Sequence, residues 1–80
     1  MTRSEFGHHV MQWGTGYDAA IRRIDTITQD WLFANGVNLA MMEAWLRFYE
    51  LTYERNPGNE SAHGRAELVR HCIGLLGGDA

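Results

Sequence analysis

Lysine is absent from this 80-residue chain; seven arginines supply all its basic side chains, against ten acidic ones, for a net charge of −3. That balance argues against a general nucleic-acid binder, whose surface should be basic. It leaves room for a partner that is itself basic. The arginine-only usage fits a GC-rich coding sequence, and equally a protein that uses the guanidinium fork in bidentate pairs. Cysteine occurs once, at Cys72, so no intramolecular disulfide can form and nothing signals an oxidising compartment. Proline also occurs once, at Pro57. No apolar run approaches the roughly 20 residues of a membrane span. The opening MTRSEFGHH lacks the apolar core of a secretory signal, so a cytoplasmic protein is expected.

Strand alternation is missing too, since no clean period of two runs beyond four positions. What is present is helical periodicity punctuated by glycine. A first short helix is expected from Ser4 to about Trp13, capped by Ser4, with Phe6, Val10 and Trp13 on one side. Thr15 can cap a second, whose Tyr17, Ile21, Ile24, Ile27 and Trp31 follow three- and four-residue steps until Asn35-Gly36 supplies a left-handed stop. Asn38 can cap the third, with Val37 placed to staple Met42, and that helix runs to about Arg55. Asn56-Pro57-Gly58-Asn59 marks a turn, after which Asn59 or Ser61 can cap a fourth helix. This helix carries Ala62, Ala66, Val69, Cys72, Ile73 and Leu76 on one side and ends at Gly77-Gly78. Gly64, Ala66 and Gly74 would let another backbone approach. The expectation is an all-α fold, a small antiparallel bundle of three to four helices, in one domain over residues 1–80. Such a chain buries only about two thirds of the surface its unfolded form exposes, so its core is small.

The third helix holds more large apolar groups than one core stripe requires. At about 100° per residue, Met42, Trp45, Leu46, Tyr49 and Tyr53 share a face suited to the core. Met41, Ala44, Phe48 and Leu51 form a second stripe, and Glu43, Arg47, Glu50 and Glu54 fill the remaining sector. Either the helix is central and wrapped by the others, or the second stripe is an interface.

Chemistry-bearing constellations are few. His8 and His9 are adjacent and diverge on a helix, while His63 and His71 stand eight apart, so no typical zinc spacing forms and no metal is expected. His71 and Cys72 also diverge, and Cys72 reads as a small buried hydrophobe rather than a nucleophile. No phosphate loop follows a strand and no acid/base pair stands out, so no enzymatic activity and no cofactor are expected. The last two helices mimic a helix-turn-helix weakly, because Glu60 and Glu67 interrupt the surface of His63, Arg65, Arg70 and His71. Pairing of His63 or Arg70 with Glu67 is the plainer use.

Two acidic ridges remain. Asp18, Arg22 and Asp25 fall at i, i+4 and i+7; Glu43, Arg47 and Glu50 repeat that spacing, extended by Glu54. They read either as solvated faces or as arrays presented to an arginine- and lysine-rich groove, although −3 is a modest charge for a mimic of DNA. With its acidic helices DAAIRRID and EAWLRFYE, the chain resembles small phage- or mobile-element-encoded inhibitors, the anti-CRISPR proteins in particular. The likeness spans the whole chain as a type: one compact acidic domain with neither catalytic set nor targeting signal. No family motif is matched, so no family residue carries over. It implies a protein in the host cytoplasm that occupies a basic surface of a CRISPR effector subunit and blocks target-DNA binding. Asp18, Asp25, Glu43, Glu50 and Glu54 would be its partner contacts, and Met41, Phe48 and Leu51 would anchor it or mediate self-association. The alternative is a homodimeric structural or adaptor domain with no inhibitory role.

Overall fold

The computed structural model describes residues 5–78. Five helices form among them: α1 (Phe6–Met11), α2 (Tyr17–Ile24), α3 (Gln29–Ala34), α4 (Leu39–Arg55) and α5 (Glu60–Leu75). No described residue lies in a strand. The expected all-α bundle is present, with five helices where three to four were anticipated.

The extra helix comes from a break in the predicted second one. Residues 24–28 read Ile-Asp-Thr-Ile-Thr, and both threonines bind local backbone instead of continuing the helix. The Thr26 hydroxyl donates to the Arg23 carbonyl at 3.2 Å, and Thr28 accepts from the Trp31 N–H at 3.1 Å as the N-cap of α3. Such side-chain bonds compete with the helical ladder. The predicted cap of α2 also moves. Gly16, not Thr15, holds the cap position at φ +88°, and its N–H donates to the Ser61 hydroxyl at 2.7 Å. Ser61 is thereby engaged, and Asn59 caps α5 by accepting from the Ala62 N–H at 3.0 Å. The Ser4 cap lies outside the described residues. Asn38 caps α4 as expected, through the Met41 N–H at 2.9 Å.

At the N-terminal end, α1 is wound as a π-helix and closes through the Gln12 N–H to the Gly7 carbonyl at 2.7 Å. Gln12 turns left-handed at φ +53°, so Trp13 follows the helix instead of ending it. Phe6, Val10 and Trp13 are nonetheless all buried, as their spacing implied.

The central helix is α5, which packs against both α2 and α4 and touches α3. Along α5, Ala62, Gly64, Ala66, Leu68, Val69, Cys72 and Ile73 are all buried. The reading of the third helix as central is therefore corrected. Only Met42 and Tyr49 of α4 are fully buried, with Trp45, Leu46 and Tyr53 packed against the core in part. The reason is side-chain size. Small residues on α5 admit neighbours on two sides, whereas the bulk of α4 holds its neighbours away. The α4–α5 pair is antiparallel: Tyr53 meets His63, Glu50 meets Arg70, and Leu39 lies against Gly78.

Another helix's backbone comes closest at Gly64. A Cβ there would lie 2.9 Å from both the Cα and the carbonyl oxygen of Tyr17 and 3.0 Å from the Ala20 Cβ. Gly74 on the same helix faces open space, so only one of these two glycines serves close packing.

This contrast sets opposite outcomes for one substitution. Gly64→Ala should lower the urea midpoint, because backbone overlap of about 1–3 kcal/mol outweighs a helix-propensity gain of about 1 kcal/mol. Gly74→Ala should raise it, through a gain in stability of about 0.5–1 kcal/mol. Equal effects at the two sites would contradict the packing described.

Candidate functional site

The three sectors expected around α4 exist. The inward side carries Met42 and Tyr49, and Trp45 joins an aromatic cluster with Phe6, Trp13, Phe48 and Tyr49 at centroid distances of 5.0–6.2 Å. The second stripe is exposed: Met41 at 37%, Phe48 at 38% and Leu51 at 44%. Between them Met41, Ala44, Trp45 and Phe48 line a shallow hollow. Phe33 on α3, at 58% exposure, is a further apolar surface group that sequence reasoning missed. It is the penultimate residue of a six-residue helix whose existence was itself unforeseen.

The acidic sector of α4 is not uniform. Glu43 and Glu54 are exposed, whereas Glu50 accepts from Arg70 at 2.9 Å, and the same guanidinium binds Glu67. Arg70 thus bridges two glutamates, using the arginine fork as the composition allowed. Asp18 and Asp25 are exposed at opposite ends of the eight-residue α2. Asp18 lies in the first turn, where a carboxylate is favoured by the helix dipole; Asp25, at the C-cap, is not. The structure therefore gathers Glu43, Glu50 and Glu54 on one helix and keeps the two aspartates apart.

Between these acids lies an arrangement that sequence spacing did not reveal. His63 of α5 stands between Tyr17 of α2 and Tyr53 of α4, at ring distances of 4.9 and 4.6 Å. Thr15, Gly16, Asp18, Arg22 and Glu60 border one side of it, and Glu50, Glu54, Glu67 and Arg70 the other. All three rings are half-buried. The only signal in the sequence was their presence on three different helices, which becomes informative once the helices are packed.

Two arginines are spent internally. Arg23 donates Nε–H to the Met11 carbonyl at 2.9 Å, and its Nη atoms reach Thr26 and Val10. Arg65 donates to the Gly14 carbonyl at 2.8 Å and lies over Trp13 and Tyr49 at 5.1 and 5.8 Å. Its Nε is buried without a hydrogen-bond partner, so ring contact is its compensation. Cys72 is fully buried, as expected of a small hydrophobe. Burial pushes its thiol up to about 11, with a smaller opposing pull from Arg23. Burial likewise lowers the Arg23 guanidinium, which charge on Cys72 would raise. Among the described residues no three His, Cys, Asp or Glu side chains converge as metal donors. No helix of the described residues is long and apolar enough to cross a membrane.

The chain belongs to a family of domains of unknown function, DUF4951, which it matches over residues 1–76. No match to it is found among curated proteins or solved structures.

The buried thiol gives a sign-definite expectation. Between pH 9 and 11 the unfolded chain ionises Cys72 while the folded chain holds it protonated. The unfolded state then binds fewer protons, so stability falls as pH rises through this window. Denaturant midpoints should drop more steeply there for the wild type than for Cys72→Ala. Parallel slopes would place the thiol in a more polar setting than the one seen.

Proposed function

We propose that this member of the DUF4951 family is a non-enzymatic protein-interaction module. In its sharpest form it is an inhibitor of the anti-CRISPR type, which occupies a basic, nucleic-acid-binding surface of an effector subunit and so blocks target-DNA binding. The observation that carries this reading is the alignment of Glu43, Glu50 and Glu54 in one sector of a 17-residue helix, with Glu50 braced by Arg70. A carboxylate held on a rigid element loses less freedom on binding than one on a loop.

Magnitude limits the mode of action. Glu43 and Glu54 are separated by about 16 Å along the helix axis, a length over which one DNA strand presents about five phosphates. Three carboxylates over that length match a few arginines or lysines, not a whole DNA groove. Inhibition then comes from bulk placed over the basic surface, with the glutamates fixing register. Asp18, on α2, would add a contact only to a partner that also reaches across the Tyr17–His63–Tyr53 region. Asp25 stands at the far end of α2 and contributes least.

A second reading, a homodimeric structural or adaptor domain with no inhibitory role, draws on the exposure of Met41, Phe48 and Leu51. The two readings draw on different sectors of α4, and only the second excludes an inhibitory role.

The test is a DNA-shift assay with a guide-loaded CRISPR effector complex from a host of the source element. Wild-type protein in molar excess should prevent target-DNA binding without itself shifting duplex DNA at low salt. The variant with Glu43, Glu50 and Glu54 all changed to Gln should fail to block while keeping its far-UV circular dichroism. Undiminished blocking by that variant would remove the acidic sector from the mechanism, and no blocking by the wild type would remove this class of target.

A further inference from the structure

Three arginines tie separate parts of this fold together, and one of them is left incomplete. Arg23 gives its donors to three oxygens, those of Met11, Val10 and Thr26. Arg70 lies between two carboxylates. Arg65, half-buried on α5, has one acceptor, the Gly14 carbonyl at 2.8 Å. Its Nη1 has no acceptor, and its charge no counter-ion, among the described residues. The Trp13 and Tyr49 rings beside it compensate the buried Nε–H but do not neutralise a full charge.

This guanidinium lines a cavity of about 560 Å³, together with His8, Trp13, Thr15 and Tyr49 and the backbone of Gly7 and Gly14. No carboxylate stands in that wall. The hollows on either side of His63 differ, since they hold Asp18 and Glu60, or Glu50, Glu54 and Glu67. Donors, by contrast, are in excess. Trp13 is 6% exposed, and its indole N–H donates to no described residue, whereas that of Trp31 binds the Val10 carbonyl. Gly7 leaves that nitrogen uncovered: a Cβ there would lie 2.7 Å from it. The Thr15 hydroxyl also has no partner among the described residues.

We infer that this cavity binds the carboxylate of an apolar monoacid, with the carboxylate on the Nη edge of Arg65 and the apolar body against Trp13 and Tyr49. Paired N–H donors of a guanidinium match the two oxygens of a carboxylate. One uncompensated cation calls for one negative charge, and a dianion would add to a chain already at −3. The volume falls within the range of about 300–1,000 Å³ seen for small-molecule sites and exceeds what a carboxylate alone fills. The rest of the wall is ring and glycine backbone, which suits an apolar body. The negative charge of the whole chain opposes approach, so affinity is modest, with a Kd of about 1 mM for a probe the size of benzoate. This site goes beyond the interaction reading and does not depend on it, since none of Glu43, Glu50 and Glu54 lines it.

The test is an NMR titration of the isotope-labelled full chain with sodium benzoate at constant ionic strength. The Trp13 indole N–H and Arg65 Nε–H signals should shift saturably, and the Trp31 indole N–H should stay where it is. Benzamide, of the same shape without the charge, should bind at least about tenfold more weakly. N-acetylphenylalanine distinguishes the source of the group: tighter binding than benzoate assigns the cavity to the carboxyl end of a polypeptide, weaker binding to a free acid. Arg65→Gln should lose the benzoate shifts. Because Arg65 also holds the Gly14 carbonyl, Thr15→Val decides where that variant fails to fold; it should weaken benzoate by about tenfold with unchanged far-UV circular dichroism. The Glu43, Glu50 and Glu54 to Gln variant should bind benzoate as the wild type does, which separates this test from that of the inhibitor. Absence of saturable shifts at tens of millimolar benzoate would overturn the proposal. So would benzamide binding as tightly, shifts centred on an arginine other than Arg65, or wild-type affinity in Thr15→Val.

Discussion

The near-contact between Gly64 and the Tyr17 backbone decides where the rest of the chain can go. Because α5 has no side chain at that point, α2 can lie directly on it, and the residues around Gly64 then hold the segment leading into α2. Ser61 accepts from the Gly16 N–H, His63 faces the Tyr17 ring, and Arg65 binds the Gly14 carbonyl. Arg65 also lies over Trp13, whose edge meets Trp45 and Tyr49 of α4. One crossing thus positions both flanking helices. It also explains why the helix richest in aromatic side chains is peripheral: the centre of a three-way packing needs a residue that can be passed closely on two sides.

A second constraint ties down the N-terminal segment. The left-handed exit of α1 at Gln12 leaves the Val10 and Met11 carbonyls pointing away from the helix ladder. The indole N–H of Trp31 donates to Val10 at 2.8 Å, and Arg23 donates to both carbonyls. Arg23 pays for its partial desolvation with these bonds and with the Trp31 ring 5.6 Å away. Breaking the predicted second helix into α2 and α3 is what lets Arg23 and Trp31 converge on one carbonyl, since on a continuous helix they would stand two turns apart.

Much of this architecture was legible in the sequence, and the misses share a cause. The caps at Asn38 and Asn59, the stops at Asn35-Gly36 and Gly77-Gly78, the bounds of α4 and the burial of Cys72 all follow from local chemistry, so local reading found them. Gly64 could be marked as a packing glycine but not assigned a partner. The break at Thr26 and Thr28 was overlooked because the apolar residues on either side keep helical spacing across it; the hydroxyls, not the hydrophobic pattern, decided the outcome. The Tyr17–His63–Tyr53 arrangement, the Glu50–Arg70 pair and the exposure of Phe33 depend on where helices meet. Periodicity within one helix carries no information about that.

The surplus of large side chains on α4 follows from these constraints. An 80-residue chain has little core to offer, and α5 fills it mostly with small and medium groups. The inner seam of α4, with Trp13, Phe6 and Trp45 beside it, completes that core. Met41 and Leu51 are left at the surface, and Phe48 stays partly exposed while its ring meets Trp45 and Tyr49. Their exposed parts forgo apolar burial worth about 25 cal/mol per Å². The acidic sector lies about a third of a turn further round the same helix. One helix can therefore complete the core, present charge and present a hydrophobic seam at once. That division is possible because α5, and not α4, supplies the centre of the fold.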